Sequence, residues 1–278
     1  MSTIHHSAII DGDVSLADDV QIGPNCVLTG KIRLESGVRL MASVHLQGPL
    51  TVGERTVFYP GALIGFEPQD YKFKPGMPTA GVTIGADCIF REHATVHAAS
   101  NDQRPTQVGD RNFFMVNTHA GHDSKVGSDI VLVNNTGLGG HSEVQDRAIL
   151  SGGTMIHQFG RIGRQAMTSG PTTLTNDLPP YFIAADRNAV VGVNVVGMRR
   201  AGMIREEINA VKRAYGEVYR RNLPIKELHA ELAERAQSSN AVKDIYEFII
   251  SAKRPICPAG GRRRTRAIDQ QTRIATDA

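Results

Sequence analysis

The stretch VGSDIVLVNNTGLGGHSEVQDRAIL, residues 126–150, carries an aliphatic residue at every sixth position: Val126, Leu132, Leu138, Val144 and Leu150. The same period extends outward from it, back to Ile4 and forward to Leu174, with two interruptions. Self-similarity at a fixed short period is the signature of a repeat architecture. We interpret each hexad as one short strand followed by a corner, so that three hexads close one coil of a triangular parallel β-helix.

A second series of small or apolar residues precedes these positions by two places and includes Cys26 and Cys88. Both series are expected to point into the prism, while neighbouring coils stack at roughly 4.8 Å, the usual spacing between strands. Each coil then covers the exposed edge of the next. Cys26 and Cys88 are therefore predicted to be buried structural residues.

Two polar stretches that contain proline break the period, at residues 66–81 and 98–106. They predict loops leaving the prism, where ligand contacts are common. After DLPPY (177–181) the apolar spacing becomes helical, first from Ile204 to Val218 and then in two further segments. We expect a β-helix over 1–185, a helical domain over 186–253 that caps its open end, and a disordered basic tail over 254–278.

The composition excludes several classes of protein. The chain of 278 residues has a formal net charge of +3 and no tryptophan. It contains no run of apolar residues long enough for a membrane span and no signal peptide at its start, so a cytoplasmic protein is expected. Its three cysteines form no disulfide framework. The basic cluster at 262–264 is interpreted as a solvated tail and not as a nucleic-acid site.

Three corners separated by one coil each carry a histidine: His122 after Ala120, His141 after Leu138 and His157 after Ile156. Because corners one coil apart stack, these histidines are predicted to share an edge of the prism, beside Asp123 and the glycine pair 139–140. His119 is expected to face outward from the flanking strand. A histidine base with an acidic partner and free backbone N–H groups suits acyl transfer to a hydroxyl. The same histidines also suit a zinc site.

The chain closely resembles the acyl-[acyl-carrier-protein]–UDP-N-acetylglucosamine O-acyltransferases, the first enzymes of lipid A biosynthesis. The stretches that carry the resemblance are IGFEPQDYKF (64–73), FREHATVH (90–97), NTHAGHD (117–123), LGGH (138–141), MIHQF (155–159), DLPPY (177–181) and GVNVVGMRR (192–200). The resemblance implies a homotrimer of left-handed prisms that transfers a 3-hydroxyacyl chain from acyl carrier protein to the glucosamine 3-hydroxyl of UDP-N-acetylglucosamine. It implies no cofactor beyond the phosphopantetheine of the carrier protein.

The resemblance also implies individual roles. His122 takes the proton of the acceptor hydroxyl, Asp123 supports that base, and the Gly140 N–H meets the oxyanion. Gly170 is implied to end the acyl groove, and a glycine there predicts a long 3-hydroxyacyl donor. The implied substrate contacts are Gln69, Asp70, Lys72, His119, His141, His157, Gln158, Asn194 and Arg200.

One departure leaves alternatives open. After His97 the family usually continues with Arg-Gly-Thr, whereas this chain has Ala98-Ala99-Ser100. A paralogue with a changed acceptor, either an amine or another sugar nucleotide, is therefore an alternative. A zinc-dependent γ-type carbonic anhydrase and a catalytically silent binding scaffold are others. Arg161 and Arg164 are candidate docking cations for the acidic carrier protein.

Overall fold

Short strands recur along the chain with the spacing that the hexads predict. The computed structural model describes residues 2–260. Its strands in chain order are β1 (Thr3–Ile4), β2 (Ile9–Asp11), β3 (Val14–Leu16), β4 (Gln21–Ile22), β5 (Val27–Thr29), β6 (Ile32–Leu34), β7 (Arg39–Leu40), β8 (His45–Gln47), β9 (Leu50–Val52), β10 (Val57–Phe58), β11 (Leu63–Phe66), β12 (Val82–Ile84), β13 (Ile89–Phe90), β14 (Thr95–His97), β15 (Thr106–Val108), β16 (Phe113–Phe114), β17 (His119–Ala120), β18 (Lys125–Val126), β19 (Val131–Leu132), β20 (Gly137–Leu138), β21 (Glu143–Val144), β22 (Ile149–Leu150), β23 (Met155–Ile156), β24 (Arg161–Ile162), β25 (Met167–Leu174), β26 (Phe182–Arg187) and β27 (Ala189–Val193).

The strands form three faces of a parallel β-helix, because each strand pairs with the strand one coil away. Face 1 contains β1, β4, β7, β10, β13, β16, β19, β22 and the start of β25. Face 2 contains β2, β5, β8, β11, β14, β17, β20, β23 and the end of β25. Face 3 contains β3, β6, β9, β12, β15, β18, β21 and β24. The predicted fold class is confirmed.

Inward-pointing residues stack from coil to coil and make the core. Phe58, Phe90 and Phe114 form a ladder behind face 1, with ring centroids 5.0 Å and 4.7 Å apart. Cys26 and Cys88 are fully buried, as predicted. Burying each large aliphatic or aromatic side chain contributes about 1.5–3 kcal/mol, so a repeated small core stabilises a chain of very short strands.

Both interruptions are loops that leave the prism at one edge, between faces 2 and 3. Loop 1 (67–81) follows β11, and loop 2 (98–105) follows β14. The predicted bounds of 66–81 and 98–106 each included one strand residue too many. Phe66 pairs with His97, and Thr106 pairs with Val82, so both belong to the prism.

After the last coil the chain forms an antiparallel hairpin of β26 and β27, which extends the sheet beyond the predicted boundary at residue 185. The helices are α1 (Val195–Arg200), α2 (Arg205–Arg213), α3 (Ile225–Ala236) and α4 (Asn240–Ile250), with a π-helical segment (Ala214–Val218) and a 3-10 turn (Tyr219–Arg221) between α2 and α3. A left-handed residue, Asn222, ends the turn. Among residues 2–260, no helix combines the length and apolar character that crossing a bilayer requires.

Helix α4 packs against β24, the last strand of face 3, and against the corner that follows it. The Arg161 guanidinium lies 4.2 Å from the centre of the Phe248 ring, and Arg164 forms an ion pair of 3.3 Å with Asp244. The Tyr181 hydroxyl donates to the same Asp244 carboxylate. Both arginines predicted to dock the carrier protein thus have intramolecular roles in holding the helical domain.

Residues 254–260 are ordered against the prism, so the prediction that the disordered tail begins at 254 was wrong for them. The Asp177 N–H donates to the Pro255 carbonyl at 2.9 Å, and the Cys257 N–H donates to the Asp177 carbonyl at 2.9 Å. Cys257 is fully buried. Backbone pairing holds this segment, and such pairing leaves no apolar periodicity in the sequence. The predicted basic tail at 261–278 lies outside the described residues.

Candidate functional site

Consecutive coils bring five chemically rich segments to the edge between faces 2 and 3, which we call the site edge. Each segment follows one strand of face 2, and each of these strands pairs with the next. The segments are loop 1 after β11, loop 2 after β14, and the corners 121–123 after β17, 139–141 after β20 and 157–159 after β23. At the spacing of about 5 Å between paired strands, the five segments line one continuous strip.

His122 and Asp123 form a hydrogen-bonded pair at the middle of the site edge. The His122 Nδ1 lies 2.7 Å from the Asp123 Oδ2, and their side chains are 11% and 8% exposed. Asp123 has a left-handed backbone conformation with φ 60°. Because a carboxylate only accepts hydrogen bonds when ionised, Nδ1 carries the proton and the lone pair lies on Nε2. This is the tautomer that a general base needs.

Loop 2 surrounds the Asp123 carboxylate with donors. The Ser100 hydroxyl donates to Oδ2 at 2.7 Å, the Asn101 amide donates to Oδ1 at 2.7 Å, and the Ser100 N–H lies 3.2 Å from both oxygens. Burial raises the pKa of Asp123, but hydrogen bonds from His122 and Ser100 outweigh it and lower the pKa to about 2. Asp123 therefore stays ionised throughout the neutral range and stabilises a protonated His122.

Glycines keep the region around His122 Nε2 open. A Cβ on Gly140 would lie 2.5 Å from that nitrogen, so the ring sits directly over the Gly140 backbone. A Cβ on Gly121 would lie 2.8 Å from the Gly140 nitrogen. Within residues 2–260 the Gly140 N–H meets no acceptor. A base and a free backbone donor therefore lie side by side, as acyl transfer through an oxyanion requires.

His141 extends the site towards solvent. Its ring meets the His122 ring edge-on at 5.1 Å and stacks on Phe159 at 4.5 Å. Single ligand atoms of His122, Asp123 and His141 lie within 4.8 Å of one another, the spacing of a metal site. The Asp123 Oδ2 already accepts from His122 and Ser100, however, so a metal ion would have to displace those bonds.

Two further histidines lie on strands of face 2 close to the His122–Asp123 pair: His97 on β14 and His119 on β17. His119, predicted to face outward, is half-buried, with its Nδ1 2.8 Å from the Thr95 hydroxyl. Its ring meets the His97 ring edge-on at 4.9 Å. Burial, helped by repulsion from His119 and His122, lowers the pKa of His97 to about 4, and burial also lowers the pKa of His119. Both rings therefore favour the neutral form near pH 7.

The other predicted contacts on the site edge are exposed or half-buried. His157 and Gln158 lie one coil beyond His141, and the His157 Nδ1 is 2.9 Å from the Gln158 carbonyl. Loop 1 carries Gln69, Asp70 and Lys72, where the Lys72 N–H donates to the Asp70 carboxylate at 2.9 Å. These residues therefore lie on the same edge of the prism as His122.

Asn194 and Arg200 lie elsewhere. The Asn194 side chain is 4% exposed; its oxygen accepts from the Gly197 N–H and its amide donates to the Gln165 carbonyl, so it caps α1. Arg200 is exposed and lines a groove over face 1 with Ile149 and Met167. In a triangular prism, face 1 is opposite the site edge.

Gly170 lies in the corner between faces 1 and 2, so it is on a different edge from His122. Its φ is +66°, and a Cβ there would have no atom within 4 Å. The space beside it is open, which leaves room for a larger side chain, and the positive φ favours glycine for the turn itself.

Ser100 and Asn101 are the site residues that sequence reasoning missed. The stretch after His97 departs from the family pattern, but its loop has no periodicity from which contacts could be inferred. One signal was available: both loops interrupt the period at the same place in consecutive coils, which puts loop 2 directly before the His122 corner.

Known proteins resemble most of the chain. A family model described as Udp N-acetylglucosamine O-acyltransferase, Domain 2 matches residues 177–257. The acyl-[acyl-carrier-protein]–UDP-N-acetylglucosamine O-acyltransferases of Stutzerimonas stutzeri and Thermodesulfovibrio yellowstonii are 36% and 37% identical over 92% of this chain and 99% and 100% of theirs. The solved UDP-N-acetylglucosamine acyltransferase of Francisella novicida superposes with a TM-score of 0.88 at 33% identity, covering 91% of this chain and 93% of that one.

The burial of His97 predicts a pH-dependent stability. Its folded pKa lies below the unfolded value, so its neutral ring contributes stability that is complete above about pH 6.5 and lost as the pH falls towards about 4. The His97→Gln variant should therefore lose less Tm between pH 7 and pH 5 than the wild type. His6→Gln, which changes an exposed histidine in the first coil, is the control. Equal losses in all three proteins would contradict the assignment.

Proposed function

The chain belongs to the acyl-[acyl-carrier-protein]–UDP-N-acetylglucosamine O-acyltransferase family, and on that premise we propose that the site edge, with His122 as general base, carries out the transfer. The enzyme moves a 3-hydroxyacyl chain from acyl carrier protein to the glucosamine 3-hydroxyl of UDP-N-acetylglucosamine, the first step of lipid A biosynthesis. The relatives named above are O-acyltransferases, which disfavours an amine acceptor and a carbonic anhydrase.

The His122–Asp123 pair beside a free N–H is the observation that carries the mechanism. His122 Nε2 takes the proton of the 3-hydroxyl while that oxygen attacks the thioester carbonyl. The Gly140 N–H donates to the tetrahedral oxyanion. When the intermediate collapses, the C–S bond breaks and the leaving thiolate of the phosphopantetheine takes the proton back from His122. Asp123 stabilises the imidazolium between these two transfers. Each proton is accounted for, and the mechanism uses no further cofactor.

The remaining predicted contacts on the strip are proposed to bind substrate. Lys72 and Asp70 on loop 1 supply a cation and an acceptor for the phosphates and the sugar, together with Gln69. His119, His141, His157 and Gln158 are proposed to contact the acceptor along the following coils. Since the acyl donor and the nucleotide acceptor are both water-soluble, a cytoplasmic location fits the reaction.

A homotrimer is proposed because one copy does not bring Arg200 to the site edge. The groove that Arg200 lines lies over face 1, opposite the edge that carries His122. Face 1 also presents an outward apolar stripe, namely Val57, Ile89, Phe113, Val131, Ile149, Met167 and Ile183. Packing this stripe against a neighbouring copy removes it from water and brings Arg200, together with the α1 cap at Asn194, towards the neighbour's site.

The His122→Ala variant should lower kcat/KM by about 10²-fold or more, since general-base catalysis contributes roughly 10²–10⁴. The Tm should change little, because a corner residue contributes little to the core. The assay incubates UDP-N-acetylglucosamine with 3-hydroxyacyl carrier protein and measures the acylated nucleotide by mass spectrometry. His6→Ala is the control. Near-wild-type turnover by His122→Ala would remove His122 from the mechanism.

Replacing Ile149 by Glu should break the trimer, because it puts a charge into the apolar stripe of face 1. Size-exclusion chromatography with light scattering should show three copies for the wild type and smaller species for Ile149→Glu, whose transfer activity should fall with the assembly. Thr83→Glu places the same charge on the polar face 3 and should leave the trimer intact. A monomeric wild-type enzyme with full activity would contradict the proposal.

Gly170→Met should shift donor preference from a long to a shorter 3-hydroxyacyl chain by filling the open space beside residue 170. Each methylene accepted or excluded by an apolar pocket is worth about 1–3 kcal/mol. Competing carrier proteins with different chain lengths measure the preference. Gly30→Met introduces the same side chain at another positive-φ glycine, four coils before the His122 corner, and controls for backbone strain. An unchanged profile in Gly170→Met would place the end of the groove elsewhere.

A further inference from the structure

The Asp123 carboxylate receives more hydrogen bonds from loop 2 than from the base it supports. Oδ2 accepts from the His122 ring and the Ser100 hydroxyl, each at 2.7 Å, while Oδ1 accepts from the Asn101 amide at 2.7 Å. From this geometry we infer that Ser100 and Asn101 are positioning residues for the His122–Asp123 pair: they fix the carboxylate that orients the base. The inference rests on the proposed function of that pair.

Loop 2 is rigid enough for this task because its own polar groups are paired. The Asn101 amide oxygen accepts from the N–H groups of Gln103 and Arg104, at 2.9 Å and 3.0 Å. The Asn101 carbonyl accepts from the Ala80 N–H of loop 1 at 2.7 Å. The Asp123 N–H in turn donates to the Thr106 hydroxyl, at the end of the loop, at 2.8 Å. Asn101 is thus held in place by the turn and by loop 1, and the backbone of Asp123 is tied to the prism.

These donors have two consequences for the base. They prevent the carboxylate from rotating, so the His122 ring keeps the orientation that puts Nε2 beside the Gly140 N–H. They also share the negative charge of Asp123, so less of it acts on His122. The other titratable groups that face the pair are His141, whose Nε2 lies 3.6 Å from the carboxylate, and the buried His97 and His119. Removing a donor should loosen the ring and strengthen the pull of Asp123 on its proton.

Asn101→Asp separates positioning from the structural role of the same side chain. The aspartate keeps an oxygen that accepts from the N–H groups of Gln103 and Arg104, so the turn is preserved. It replaces the donor to Asp123 with a second carboxylate, which repels the first and favours a protonated His122. Ser100→Ala removes only the hydroxyl donor, whereas Ser100→Thr retains one. Gln103→Ala changes an exposed side chain of the same loop and is the matched control.

The experiment measures kcat, KM for UDP-N-acetylglucosamine, Tm and the pH profile of kcat/KM for the full-length enzyme and these four variants. Loss of one hydrogen bond to a charged group predicts a kcat about tenfold lower in Ser100→Ala, with KM nearly unchanged. Ser100→Thr should recover most of that loss. Asn101→Asp should show the lowest kcat and an acid limb moved to higher pH by about half a unit to one unit.

The outcomes separate the inference from its premise. An active wild type whose Ser100→Ala and Asn101→Asp variants match Gln103→Ala in kcat and pH profile would overturn the positioning role and leave the proposed function standing. Variants whose kcat falls only in proportion to Tm, with an unmoved acid limb, would also overturn it. A wild type that transfers no acyl chain would instead overturn the proposed function, and the inference would fall with it.

Discussion

The parallel hydrogen-bond register between neighbouring coils is the constraint on which the rest of this structure depends. Because each residue pairs with the one a coil away, side chains of like position stack along the prism, as Phe58, Phe90 and Phe114 do in the core. The register admits extra residues only at corners, so both loops leave there. It also makes an edge, and not a cavity within one coil, the place where reactive groups accumulate.

Three consecutive coils contribute to the proposed catalytic site. The coil of His122 supplies the proposed base and its carboxylate, and the loop from the coil before supplies the donors that hold that carboxylate. The coil after supplies the Gly140 N–H, over which the ring lies. A short spacing between coils is what puts all three contributions within hydrogen-bond reach. The same geometry places Arg200 on the opposite face, and this is why the proposed site needs a second copy.

The hexads were sufficient to predict the prism, the edge shared by His122 and His141, and the burial of Cys26 and Cys88, because stacking converts sequence spacing directly into position. Contacts that do not repeat from coil to coil could not be predicted from the hexads. Residues 254–260 pair through backbone groups of Asp177 and Val190, and Ser100 reaches Asp123 from an irregular loop. Arg161 meets Phe248 across a long sequence separation. Each depends on a path through space that composition and periodicity do not record.

A crystal structure of the enzyme with UDP-N-acetylglucosamine bound is the most direct test of His122 as the base, because it locates the acceptor hydroxyl relative to that side chain. We expect the glucosamine 3-hydroxyl oxygen at hydrogen-bond distance, about 2.6–3.2 Å, from His122 Nε2, with the Gly140 N–H facing the space where the thioester carbonyl enters. We also expect the nucleotide to lie between the site edge of one copy and the Arg200 groove of another. A nucleotide sugar bound away from His122, or held wholly within one copy with its 3-hydroxyl turned from that nitrogen, would contradict the proposed role of His122.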